Sequence, residues 1–312
     1  MTTEKYDFAV IGAGGTGLGG AMYAARLGMK TIVFGATNGM ELPVGGVITT
    51  THVVENYPGF TTISGVDLAK EIEKHTRSYD LVTIKTEKVE NIKKTGSFFS
   101  IKTNKGNYQA RSLLIATGTK WRELEAEGSK DFRNKGVNYC ALCDGPLYKK
   151  KIVAVAGGGD SAIKDALLLS EHADKVYIIA RGKEIKPEPI NFERVKKNKK
   201  IEVITGTNIK EVRGNKFVTE IVLDKPHNGS NILKVDGIFI AIGHIALSDI
   251  AKDLGVKLDK RGEIIIDHKT SETNFHGIFA AGDVTDKPFK QLITGVADAC
   301  TAAHSAYEYL NR

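Results

Sequence analysis

From Tyr6 to Ile11 the chain is apolar. It then breaks into Gly12-Ala13-Gly14-Gly15-Thr16-Gly17, after which apolar positions recur at helical spacing to about Leu27 and a second apolar run spans Thr31 to Phe34. This predicts strand, glycine loop, helix and strand: one βαβ unit. The pattern returns with a strand over Lys151 to Ala156, the loop Gly157-Gly158-Gly159-Asp160-Ser161-Ala162, a helix to about His172 and a strand over Lys175 to Ala180. The two loops are separated by the length of a whole domain, which excludes a short-period solenoid. Between the units, Glu87 to Thr103 alternates like the strands of a small sheet and leads to Ser112-Leu113-Leu114-Ile115-Ala116-Thr117-Gly118-Thr119, where Gly118 reads as a hinge. A second apolar strand with a closing glycine, Gly237 to Gly243, echoes that exit. The two exits predict an insertion, with residues 119–244 forming one domain and residues 1–118 together with 245–312 the other. Gly277 to Asp283 and a helix from about Lys290 to Tyr309 then return the chain to the first domain.

Composition narrows the class. A chain of 312 residues with 41% hydrophobic and 26% charged residues has material for two cores and none of the bias of a disordered, coiled-coil or collagen-like protein. Lys and Arg number 44 against 37 Asp and Glu, a net charge of +7 that favours acidic partners. The run Arg194-Val195-Lys196-Lys197-Asn198-Lys199-Lys200 reads first as a solvated helix end and otherwise as a dock for an acidic electron-transfer protein. No nucleic-acid motif accompanies it. Met1 to Ala9 carries Glu4, Lys5 and Asp7 and leaves no room for a signal peptide, and no apolar run reaches the length of a membrane helix, so a cytoplasmic protein away from membranes is expected.

A glycine loop between strand and helix lets the backbone approach a pyrophosphate, and the helix N-terminus favours the anion. Two such loops in the right context predict two dinucleotide sites, hence an α/β fold of two Rossmann-like three-layer domains, the second inserted into the first. An acid about 20 residues on, which would take a ribose 2′-hydroxyl, is missing from both. Arg181, Lys183 and Lys186 follow the second unit instead and suit a 2′-phosphate, if they are more than a solvated basic loop. The three cysteines are too few for a disulfide scaffold, but Cys140-Ala141-Leu142-Cys143 pairs two thiols at redox or metal-ligand spacing in a reducing compartment. Zinc would require two further ligands that no Cys/His pair supplies, so no metal is expected and dithiol exchange is the favoured chemistry. Asp144 could move a proton during that exchange or serve as a helix cap. Cys300 reads as a buried core residue, and His52, His75 and His244 as packed or solvated.

Gly12 to Gly17, Gly45-Gly46 with Glu55-Asn56-Tyr57-Pro58-Gly59, Ala116-Thr117-Gly118, Cys140 to Gly145, Gly157 to Ala162 and Gly282-Asp283-Val284 stand in an order that closely resembles the low-molecular-weight thioredoxin reductases, over almost the whole chain. The resemblance implies FAD held by Gly12, Gly14, Gly17, Gly45, Gly46, Asn56, Thr117, Asp283, Lys290 and Gln291. It places NADPH on Gly157, Gly159, Asp160, Ser161, Arg181 and Lys186. The implied reaction passes electrons from NADPH through FAD to the Cys140–Cys143 pair, with Cys143 facing the flavin, Cys140 attacking a thioredoxin or glutaredoxin-like protein and Asp144 donating the proton. A homodimer and a rotating inserted domain are also implied. Three departures stand out. Ala180-Arg181-Gly182-Lys183-Glu184-Ile185-Lys186 thins the family's basic signature, Pro146-Leu147 replaces an aromatic pair, and the stretch Ala36 to Val44 is longer than usual. The thinned signature keeps alternatives open: ferredoxin or another donor, a dithiol oxidase, or a dinucleotide-binding redox sensor without turnover.

Overall fold

The computed structural model describes residues 4–35 and 44–312, so most of the long stretch Ala36 to Val44 lies outside the described residues. In chain order the elements begin β1 (Glu4–Ile11), α1 (Gly15–Arg26), β2 (Thr31–Phe34), α2 (Gly65–Arg77), β3 (Val82–Lys85), β4 (Val89–Thr95), β5 (Phe98–Thr103), β6 (Asn107–Ile115) and β7 (Thr119–Trp121). They continue through β8 (Val137–Asn138), α3 (Ala141–Asp144), β9 (Ile152–Ala156), α4 (Asp160–His172), β10 (Lys175–Ala180), α5 (Pro189–Lys197), β11 (Ile201–Thr205), β12 (Ile209–Gly214), β13 (Val218–His227), β14 (Ser230–Lys234) and β15 (Gly237–Ile240). The last are β16 (His244–Ala246), α6 (Asp249–Asp253), β17 (Ile278–Ala280) and α7 (Leu292–Leu310). Two compact units result, one of Met1–Lys120 with Ile245–Arg312 and one of Trp121–His244.

In the first unit, β1 lies between β2 and β6 in parallel register, and β3 extends the sheet beyond β2. A central parallel strand is covered on both faces, so its apolar run is continuous and alternate residues enter opposite cores. Ala9 and Ile11 join Ile32, Leu113 and Ile264 on one face; Phe8 and Val10 join Val33, Leu114, Ala21 of α1 and Ala299 of α7 on the other. The long strand β6 divides its far edge, pairing antiparallel with β5 over its first half and parallel with β17 over its second. The C-terminal segment thereby enters the sheet begun by the N-terminus.

The second unit repeats the scheme with β11-β10-β9-β15-β8 in parallel. Val153, Val155 and Phe239 face Ile163, Ala166 and Leu169 of α4. Ala154, Ala156 and Ile238 face Ile209, Val218 and Ile221 of the antiparallel sheet β12-β13-β14. Two differences from the sequence reading concern helices. α2 has no counterpart among the predicted elements, although Ser64 caps it by accepting from the Asp67 N–H at 3.0 Å. The last helix begins at Leu292 rather than Lys290, because Gln291 and Thr294 form a capping box there.

Candidate active site

The first glycine loop is a cradle built by close backbone approach. A Cβ at Gly17 would lie 1.9 Å from the Gly12 carbonyl oxygen, and one at Gly12, whose φ is +119°, would lie 2.3 Å from that of Ala116. Gly14 is different: its nearest neighbour in that direction is the Gly45 carbonyl oxygen at 3.8 Å, so its outer face is open. Gly45 docks on this loop through its N–H to Ala13 O (2.8 Å) and its carbonyl to Gly15 N–H (3.1 Å), which brings Gly45 and Gly46 to the N-terminus of α1. That helix has no side-chain cap and no acid in its first turn. An open glycine wall before an uncapped helix end fits a dinucleotide pyrophosphate, as FAD would present.

The other first-unit candidates gather around this cradle. Asn56 Nδ2 donates to Gln291 Oε1 at 3.0 Å across 235 positions. Lys290 Nζ donates to the main-chain carbonyl of Asp283 at 2.8 Å, and Thr117 Oγ1 to that of Leu247 at 2.6 Å. Lys290 also pairs with Glu263, a residue the sequence reading passed over because its partner lies 27 positions away. Cys300 corrects an expectation. It lies on α7 but is half-buried rather than in the core, its Sγ 4.0 Å from the Gly19 carbonyl oxygen, and desolvation raises its thiol pKa.

The second loop carries charge where the first carries none. Gly157 (φ +146°) makes the close approach, its Cβ direction ending 2.2 Å from the Ala241 carbonyl oxygen, and Gly159 is open. Asp160, in the first turn of α4, accepts from the Glu188 N–H at 2.8 Å and Asn191 Nδ2 at 2.9 Å and pairs with Lys164 Nζ at 2.7 Å. Burial pushes its pKa upward, but the bonds from Lys164, Asn191 and the Glu188 amide together hold it below the ordinary carboxylate value, so Asp160 stays ionised. Ser161 and Arg181 are exposed, the latter just after β10. Lys186 ties its N–H to Gly158 O at 2.7 Å, while its ammonium lies 3.9 Å from Glu184.

Cys140 and Cys143 form a disulfide, with Cys140 at the N-cap of the short helix α3 and its Sγ accepting the Cys143 N–H. Asp144 follows immediately, and burial pushes its pKa above the usual carboxylate value. Beside it a cavity of about 240 Å³ is lined by Asn138, Asp144, Leu147, Tyr148, Phe217 and Asp236 among others. Its rim is mixed: Leu147, 71% exposed, and Phe217, 55% exposed, stand beside the exposed polar residues Asn134 and Lys151. The sequence singles out only Asp144 and Leu147 here, because Asn138 sits on β8, and Phe217 and Asp236, in the loops before β13 and β15, are remote from them in the chain. Among the described residues no group of three or more His, Cys, Asp or Glu side chains could hold a metal ion, and no helix is long and apolar enough to cross a membrane.

Residues 6–306 match the family described as pyridine nucleotide-disulphide oxidoreductase. The thioredoxin reductase of Treponema pallidum (strain Nichols) is 36% identical over 313 residues, covering 100% of this chain and 99% of its own. The crystal structure of T. acidophilum thioredoxin reductase superposes with a TM-score of 0.92 at 35% identity, covering 99% of this chain and 100% of its own. A ferredoxin-flavin thioredoxin reductase from Clostridium acetobutylicum is 32% identical with a TM-score of 0.52, covering 99% of both chains. The chain belongs to the pyridine nucleotide-disulphide oxidoreductases and, within them, to the thioredoxin reductases.

Proposed function

We propose that this protein is an FAD-dependent reductase of the disulfide in a thioredoxin- or glutaredoxin-like protein, working through Cys140, Cys143 and Asp144. The observation that carries the reading is the Cys140–Cys143 disulfide beside a half-buried carboxyl of raised pKa, in a unit built like a dinucleotide-binding domain. The Gly12–Gly17 cradle with Gly45, Gly46, Asn56, Thr117, Asp283, Lys290 and Gln291 would hold FAD, which when bound would supply the electron pair for reduction of the Cys140–Cys143 disulfide. Once both sulfurs are reduced, the Cys140 thiolate attacks one sulfur of the partner's disulfide, and the departing partner thiolate takes the Asp144 proton. Cys143 then attacks the Cys140 sulfur of the mixed disulfide, returning a proton to Asp144, closing Cys140–Cys143 and releasing the second partner thiolate. Because one dithiol must serve flavin and partner in turn, Gly118 (φ +66°) and Gly243 (φ +103°) are assigned as the hinge. A homodimer in the cytoplasm completes the reading, on the family resemblance and the reduced-compartment logic of a catalytic dithiol.

NADPH is the donor in this reading, with its 2′-phosphate on Arg181 and Lys186. Asp160 favours a second reading. An ionised carboxylate in the first turn of α4 opposes a pyrophosphate at that helix end, and Lys186 is offset by Glu184. A donor such as ferredoxin, itself acidic, would not need that site. The test is anaerobic bleaching of the flavin by NADPH, NADH and reduced ferredoxin, with Cys140→Ser and Cys143→Ser alongside. Cys140→Ser should keep a thiolate able to perturb the flavin spectrum and Cys143→Ser should not; neither should reduce a thioredoxin-like disulfide catalytically. Wild-type turnover by both variants would remove the dithiol from the reaction.

A further inference from the structure

Glu263 is a carboxylate buried to 9% exposure in the FAD-type unit, and its surroundings hold it rigidly. Its main chain is fixed on one side by Asp259, whose carboxylate accepts the Glu263 N–H at 2.8 Å and whose own N–H donates to the Glu263 carbonyl at 2.8 Å. On the other side Ile264 N–H donates to Val284 O at 2.9 Å, and Asp286 N–H to Ile264 O at 3.0 Å, which seats Glu263 next to the Gly282-Asp283-Val284 turn. One carboxylate oxygen takes the Lys290 ammonium. The other faces Arg261 Nη2 at 2.6 Å as an ion pair but outside hydrogen-bonding geometry, so it is a buried acceptor without a hydrogen bond.

Lys290 is the more informative partner. It immediately precedes Gln291, the N-cap of α7, where the helix dipole is positive and a cation is disfavoured. Its neighbourhood is the cradle. A Cβ at Gly15 would lie 2.7 Å from Leu292 Cδ1, and one at Gly282 would lie 2.9 Å from Thr16 Oγ1, so residues 282–283 and 290–292 flank the first turn of α1. A cation at such a rim stabilises negative charge on whatever the cradle holds, and a buried counter-carboxylate tempers that effect.

We infer that Glu263 is a positioning residue for the flavin: it anchors Lys290 at the cradle rim and, by balancing its charge, sets how strongly the protein favours reduced over oxidised flavin. The inference rests on the FAD reading above, and its test separates the two. Flavin content is measured first on the whole protein reconstituted with FAD; a wild type that takes up no flavin overturns the FAD reading itself. With FAD bound, the flavin midpoint potential is read against redox dyes. Reduced flavin carries the greater negative charge. Glu263→Gln, which leaves Lys290 uncompensated, should therefore raise the reduced-to-oxidised ratio at fixed potential about tenfold, or about 30 mV for a two-electron couple. Lys290→Gln, which leaves Glu263 with Arg261 alone, should lower it by a similar factor. The double variant should return close to wild type, and Lys290→Arg should retain the wild-type potential. Shifts of the same sign in the two single variants, or no shift with FAD fully bound, overturn the inference. If Glu263→Gln does not fold, Lys290→Gln against Lys290→Arg decides alone: equal potentials overturn it, and a drop only in Lys290→Gln supports it.

Discussion

Burial is what raises the Asp144 pKa, because it disfavours the ionised form. A carboxyl of this kind stays protonated to higher pH than an exposed one and can donate where thiolates leave. The expected outcome is a dithiol-exchange rate with a descending limb as pH rises through the raised pKa, and loss of that limb in Asp144→Asn together with a plateau about 100-fold lower. Stability runs with the same sign: the neutral form favours the native state at low pH, and this contribution is lost as pH rises through the folded-state pKa. Asp144→Asn should therefore be at least as stable as wild type above that window, by urea unfolding across pH. At Arg181 the expected effect is on nucleotide choice. If the side chain meets a 2′-phosphate, Arg181→Ala should abolish preference for NADPH over NADH in flavin bleaching, a loss of about 10- to 150-fold for one charge-assisted contact.

The two βα turns share a loop design and differ at their helix ends. In the first, Gly12→Ala combines a left-handed φ with a clash against the Ala116 carbonyl and should destabilise the fold by about 3 kcal/mol. Gly14→Ala should cost the fold about 1 kcal/mol or less, because its Cβ has room and φ is −74°, yet the added methyl stands in the open wall of the cradle. Flavin content after purification and the melting temperature should thus separate in Gly14→Ala and fall together in Gly12→Ala. In the second turn, Asp160→Asn removes the charge from the start of α4 while leaving one oxygen to accept from Glu188 or Asn191. Nucleotide affinity should rise about two- to fivefold, read as the concentration of NADPH that half-saturates flavin bleaching. An unchanged value would mean that no pyrophosphate reaches α4.

For the molecule as a whole, the segments crossing between the units are held locally: Leu247 N–H donates to Gly118 O at 3.0 Å, and Arg122 N–H to Gly243 O at 2.9 Å. A Cβ at either glycine would meet nothing within 4 Å, so the strain of a substitution lies in φ alone. Gly118→Val should slow turnover with a protein disulfide while flavin content and the flavin spectrum stay as in wild type. The net charge of +7 acts at the same scale. Lys196, Lys197 and Lys199 cluster where α5 ends, whereas Lys200 caps the carbonyls of Ser170 and Ala173 at 3.0 and 2.9 Å. If an acidic protein is the donor, its rate should fall steeply with salt, and charge reversal at Lys196 and Lys197 should reproduce the fall at low salt.

Both βαβ units were legible in the chain itself, because a strand buried on both faces must be continuously apolar, its helix must be apolar at 3.6-residue spacing, and the turn between them tolerates only glycine where backbones nearly touch. The Cys140–Cys143 spacing was legible for the same reason: the chemistry needs two thiols a helical turn apart. What only the tertiary structure decided is which distant side chains meet. Asn56 finds Gln291, Glu263 neutralises Lys290, and Asp160 turns to Glu188 and Asn191. The exposure of Cys300 depends on how α7 is turned against its neighbours, and the cavity beside Asp144 on where Phe217 and Asp236 end their loops. Single hydrogen bonds and ion pairs between remote segments impose no period and no composition on the residues around them, so they exist as information only once the sheets have brought those segments together.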